Sequence, residues 1–224
     1  MRLNVRVLAL GMSVAASLAY LLRSGSPVLP ADVILKGLSV TLLGVVALRA
    51  SRAFLAAALL LSSVGDVLLE LDRSYFLLGL AAFLTSHLLY TTLFVRHRAE
   101  LSPASRQLVW PALLACYGVG FGIWLTPSLG ELRVPVFCYI AALVAMVATS
   151  SRANYRSRWV FLGALLFLAS DSLLGTGRFK LQIPGSGSLI WITYYLGQCA
   201  IALGVLAETP VTPSRDGPAL QAGR

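Results

Sequence analysis

Residues 53–71 read AFLAAALLLSSVGDVLLEL. A stretch of this length and apolarity suits a bilayer crossing, which takes ~20 mostly apolar residues. Yet it carries two acids, Asp66 and Glu70. A carboxylate at the centre of a spanning helix costs ~2.5–3.5 kcal/mol on insertion scales. Either the stretch lies outside a membrane, or its acids have a use within one.

The surrounding chain decides for the membrane. Of its 224 residues, 58% are hydrophobic and 12% charged, whereas an average soluble domain is about a quarter charged. About eight segments meet the spanning criterion, at 4–22, 31–48, 53–71, 75–95, 107–126, 132–149, 157–175 and 188–207. The connections are short and leave no room for a soluble domain. The predicted fold is therefore all-α, a polytopic membrane helical bundle forming a single transmembrane domain over residues 1–207. The Pro-rich, polar stretch 208–224 reads as a disordered tail. The first segment has the basic start and small residues of a signal peptide, but its apolar run is long for one. It reads as a retained first helix.

The net charge of +9 is no nucleic-acid footprint, because the basic residues scatter at segment ends. With the N-terminus inside, twelve arginines fall on the inner side. Five basic residues (Arg23, Arg73, Arg133, Arg178 and Lys180) fall outside, and Lys36 lies within a span. The positive-inside rule then predicts cytoplasmic termini. Cys116, Cys138 and Cys199 all fall in spans and form no C-x-x-C pair, so they read as small buried hydrophobes.

The polar residues within the oil are Lys36, Asp66, Glu70, His87, Asp171 and the cluster Tyr194–Gln198. Such residues face a bundle interior or a wet cavity and point to function by default. Glu70, close to its span end, and Lys36, close to the outer end of its own, also fit interfacial or snorkelling positions. Asp66 and Asp171 lie deeper, five and about four residues before their span ends. Both spans run outward in this topology, which gives the two acids similar depths. Helical spacing puts Ser63, Asp66 and Glu70 on one side, His87 with Tyr90 on another, and Trp191, Tyr194, Tyr195 and Gln198 on a third. The Gly118–Gly120–Gly122 stripe suggests close helix packing. SVGDVLL (63–69) and LASDSLL (168–174) share a small residue, Asp and an aliphatic pair. This match suggests a parallel four-plus-four repeat that would bring both acids to one central cavity.

SSVGDVLLEL, AAFLTSHLLY, FLASDSLLG and TYYLGQCAIAL together resemble the YhhN-like family, which includes the lysoplasmalogenases. The resemblance covers residues 30 to 206. Its specific parts are Gly65–Asp66, His87 with Tyr90, Ser170–Asp171, and Tyr194–Tyr195 with Gln198. Lys36 matches a family lysine, although Ser39 stands where a proline is usual. The resemblance implies a bacterial multi-pass protein of the inner membrane. It also implies cleavage of the vinyl ether of a lysoplasmalogen to a fatty aldehyde and glycerophosphoethanolamine or glycerophosphocholine.

That chemistry suits the residues. A vinyl ether is cleaved by proton delivery to carbon, giving an oxocarbenium ion that water captures. Glycosidases meet a related cation with two carboxylates, and Asp66 and Asp171 are the catalytic candidates here. Lys36 is expected to hold the substrate phosphate and His87 to relay protons or orient an acid. Tyr90, Tyr194, Tyr195 and Gln198 are expected to line the polar part of the cavity. Membrane lipids and a lysophospholipid substrate are the expected partners. No cofactor or metal is called for, and neither a G-x-S-x-G elbow nor an H-E-x-x-H helix occurs. A proton-coupled transporter or a lipid-binding protein would also use buried Asp, Lys and His.

Overall fold

The computed structural model describes residues 2–23, 29–97 and 109–208. It contains eight long helices apolar enough to cross a membrane. They are α1 (Arg2–Arg23), α2 (Pro30–Arg49), α3 (Ala53–Leu71), α4 (Phe76–Arg96), α5 (Val109–Leu125), α6 (Arg133–Ser150), α7 (Trp159–Phe179) and α8 (Ser186–Leu206). The described residues contain no strand. The predicted segments match these helices closely, with one consequential difference. Helix α7 runs on to Phe179, and Lys180 N donates to the Thr176 carbonyl at 2.9 Å to close its last turn. Asp171 thus lies about 12 Å from its helix end at 1.5 Å per residue, deeper than the sequence suggested.

Six helices form a ring in the order α2, α3, α4, α6, α7, α8, with α8 returning to α2. Helix α1 packs outside against α2 and α8, and α5 outside against α6. Local chemistry sets the turns. Pro30 opens α2, and the Asp32 carboxylate accepts from Leu29 N at 2.8 Å and from Arg23 Nε at 2.5 Å. Between α2 and α3 the chain reverses through Ser51 at φ +58°, a left-handed helix cap. Asp72 accepts from Ser74 N at 2.8 Å in the turn before α4, and those bonds hold its carboxyl below the usual range.

Glycines set how closely the helices approach. A Cβ on Gly163 would stand 2.7 Å from the Gly197 carbonyl, so the backbones of α7 and α8 touch. A Cβ on Gly65 would stand 2.5 Å from the Phe83 ring. Gly65 thereby lets α4 lie against α3 beside Asp66. Of the glycine stripe on α5, Gly118 and Gly122 do pack on Val144 and Phe137 of α6. Gly120 faces open space, because a residue two positions away lies on the opposite side of a helix.

Two expectations need correction. Cys116 and Cys138 are exposed on the outside of the bundle and Cys199 is half-buried. Cys116 and Cys138 are outward-facing rather than core residues, since apolar side chains cost nothing on either side of a membrane helix, whereas Cys199 packs against the core. Glu208 is no part of a loose tail. Its carbonyl accepts from Arg52 Nη2 and its carboxylate from Arg156 N at 2.6 Å. The rest of that stretch, 209–224, lies outside the described residues. Helix α1 is tied into the bundle, with Ser13 Oγ donating to the Ser39 carbonyl at 2.5 Å and Trp191 Nε1 donating to Ser17 Oγ at 3.1 Å.

Candidate active site

The ring encloses a cavity of about 220 Å³. Helix α3 brings Asp66 and Glu70 to its wall, one turn apart. Helix α2 brings Lys36, α7 brings Ser170 and Asp171, and α8 brings Trp191 and Tyr194. Asp66 and Asp171 therefore face one space.

Lys36 and Glu70 form an ion pair, Nζ to Oε2 at 2.8 Å, with side chains only 16% and 14% exposed. Tyr20 of α1 donates to the same Glu70 oxygen at 3.1 Å. The Lys36 ammonium also lies 5.5 Å from the Tyr20 ring centroid and 5.8 Å from that of Trp191, within cation–π range. Both side chains turn to each other within the bundle. Glu70 looked interfacial in the sequence because it lies one residue from the end of α3. The adjoining α2 and α1 enclose it.

Asp66 is 3% exposed and ends a relay of donors. Tyr90 OH donates to Gln198 Oε1 at 2.6 Å, Gln198 Nε2 donates to Tyr194 OH at 3.2 Å, and Tyr194 OH donates to Asp66 Oδ2 at 2.6 Å. Asp171 has another set. Tyr139 OH donates to its Oδ2 at 2.5 Å, and His87 Nε2 lies 3.4 Å from that oxygen and 3.1 Å from Tyr139 OH. His87 Nδ1 has no protein partner among the described residues, so these neighbours favour the tautomer with hydrogen on Nε2.

Of the residues expected to line the polar cavity, Tyr194 does so. His87, Tyr90 and Gln198 are 0% exposed and form a layer behind the wall. Tyr195 belongs elsewhere. It points away from the acids, and its hydroxyl meets Ser13 Oγ at 2.7 Å, joining α8 to α1. Tyr195 lies 100° further round α8 than Tyr194, on the side that meets α1. Sequence reasoning missed Glu70 as a site residue, and also Tyr20 and Tyr139. The one signal for Tyr139 is that it is a lone hydroxyl in the apolar run VFCYIAALV.

The fold and this site define a class, a multi-pass membrane protein with an ion pair and two carboxylic acids around an intramembrane cavity. The YhhN family model matches residues 31–205, and the chain belongs to that family. A protein named lysoplasmalogenase from Mycobacterium tuberculosis is 35% identical over 157 residues, covering 68% of this chain and 60% of that protein. Lysoplasmalogenase TMEM86B from Sus scrofa is 34% identical over 160 residues, covering 71% of this chain and 66% of its own. The human TMEM86B is 34% identical over 157 residues, covering 70% and 65%. The chain thus matches about 60% of the length of the mycobacterial relative. No solved structure matches it.

Proposed function

We propose that this chain is an integral-membrane hydrolase that cleaves the vinyl ether of a lysoplasmalogen. The observation that carries the reading is that Asp66 and Asp171, from α3 and α7, line one cavity beside the Lys36–Glu70 pair. The names of the relatives support the substrate.

In the proposed reaction, one carboxylic acid gives its proton to the alkene carbon distal to the ether oxygen. The positive charge is then shared by the neighbouring carbon and that oxygen. The other carboxylate takes a proton from water as the water oxygen bonds to that carbon. The resulting hemiacetal collapses. Its C–O bond to glycerol breaks, the glycerol oxygen receives a proton, and a fatty aldehyde leaves. One water is consumed. Donors divide the roles, since hydrogen bonds to a carboxylate favour its charged form. Asp171, beside both Tyr139 and His87, is assigned the base. Asp66, with Tyr194 alone, is assigned the acid. Lys36 would exchange Glu70 for the substrate phosphate, and the preformed ion pair keeps its charge in place until then.

We further propose the inner membrane of a bacterium as its site, with both termini cytoplasmic. Arg6, Arg49, Arg52, Arg156 and Glu208 gather at one end of the bundle, which supports that orientation. The order of neighbours in the ring supports the four-plus-four repeat. Helices α2, α3 and α4 are followed by α6, α7 and α8, with α1 on α2 and α5 on α6.

The test is incubation of purified protein with lysoplasmenylethanolamine and, separately, with its saturated alkyl-ether counterpart. Aldehyde and glycerophosphoethanolamine are expected from the vinyl ether alone. No product from either, with proton-coupled flux in proteoliposomes, would replace the hydrolase by a transporter.

A further inference from the structure

A second cavity meets the first at Asp171. It is a narrow slot of about 50 Å³ between α4, α5, α6 and α7, walled mostly by apolar side chains such as Leu80, Phe121, Leu125, Ile140, Leu143 and Leu168. Asp171, Leu69, Phe83 and Leu174 line both cavities. One space therefore offers an ion pair, the other hydrocarbon and aromatic faces, and the proposed catalytic base stands where they join.

Helix α5 leaves this slot easy to open. It rests on α6 outside the ring and makes only sparse contact with α7. Across the gap, Tyr117 OH and Ser172 Oγ lie 2.5 Å apart, and Gly175 faces Phe121, whose Cζ would stand 3.5 Å from an added Cβ.

We propose that this slot receives the single hydrocarbon chain of a lysolipid, and that Gly175 sets the chain length it takes. The orientation rests on the hydrolase reading. With the phosphate at Lys36 and the ether at Asp171, the chain leaves the polar cavity through the wall the two spaces share. The slot as it stands is too tight for a long chain, so a bound chain pushes α5 off α7 and breaks the Tyr117–Ser172 bond. The same displacement opens a lateral path from the bilayer, which suits a substrate that arrives dissolved in lipid.

The experiment compares wild type, Gly175→Leu and Gly177→Leu on octyl-length and octadecyl-length substrates. Gly177 has open space around it and serves as the control on the same helix. Two readouts are taken: aldehyde release from the vinyl ethers, and binding of uncleavable alkyl-ether lysophosphoethanolamines of both lengths. Gly175→Leu should weaken handling of the long chain by about tenfold or more relative to the short one, the effect of excluding about two methylenes from an apolar site. Gly177→Leu should keep the wild-type ratio. Equal losses at both lengths, or none, in folded Gly175→Leu would overturn the proposal. If wild type releases no aldehyde, the hydrolase reading fails, while the binding readout still decides the slot. Should Gly175→Leu fail to fold, Phe121→Trp from the opposite wall carries the same expectation and the same contrary outcome.

Discussion

Asp66 and Asp171 occupy alike pieces of sequence and unlike surroundings. Each follows a small residue and precedes aliphatic ones on a ring helix. Asp66 takes one hydrogen bond, from Tyr194 at 2.6 Å, at the end of a line of neutral donors that starts at Tyr90. Asp171 has Tyr139 at 2.5 Å and His87 at 3.4 Å on one oxygen, and it borders both cavities. The difference teaches that a carboxylate's role in a bundle is set by the helices opposite it. Here α8 furnishes the direct partner of Asp66, while α4 and α6 furnish those of Asp171.

The comparison breaks most visibly if either acid is dispensable. Asp66→Asn and Asp171→Asn should each lower turnover by ~10²-fold or more, the lower range for general acid–base catalysis. Neither should harm insertion, because Asn is cheaper to bury than a charged Asp. Aldehyde release beside a thermal-unfolding measurement on each variant checks both parts.

A smaller effect belongs to the charge that serves both acids by holding the headgroup. Lys36→Met removes a charge-assisted contact of roughly 1.5–3 kcal/mol, so the apparent KM should rise about tenfold or more. An unchanged KM in a folded variant would leave Lys36 as a structural partner of Glu70.

The donors then sharpen the contrast. Tyr139→Phe strips Asp171 of its closest donor and should cost turnover about tenfold, taking ~1.5 kcal/mol for a bond to a charged group. Tyr194→Phe should cost less, because the donor that supports the carboxylate left after proton transfer also opposes the protonated form the acid needs beforehand, and the two effects offset. A larger loss for Tyr194→Phe would reverse the assignment. The smallest change is expected of Tyr90→Phe, at the far end of the relay. Turnover should stay within about twofold, with stability down ~1 kcal/mol for a buried carbonyl left without its donor, readable as a lowered unfolding temperature.

Helix number and the two acids were legible in the sequence for a simple reason. Spanning length and the cost of buried charge are properties of a segment by itself. Residues 53–71 coincide with α3 (Ala53–Leu71), and Asp66 stands out in any window around it. What depends on a neighbouring helix was not legible. Glu70 looks interfacial until α2 and α1 supply Lys36 and Tyr20. Tyr139 looks like any membrane aromatic until α6 is seen between α4 and α7. Tyr195 read as a site residue with Tyr194 because a linear motif joins two side chains that α8 sends to different neighbours, Ser13 and Asp66. Cys116 and Cys138 misled because hydropathy does not distinguish a bundle core from a lipid face.

The central claim is that the two acids act as one unit, and a double-mutant cycle on aldehyde release tests it most directly. Wild type, Asp66→Asn, Asp171→Asn and the double variant are measured at saturating lysoplasmenylethanolamine. If each acid needs the other, the double variant should be little slower than the worse single variant, since groups acting together lose their effect together. A double variant whose loss is the product of the two single losses, or near-normal release by either folded single variant, would contradict the account.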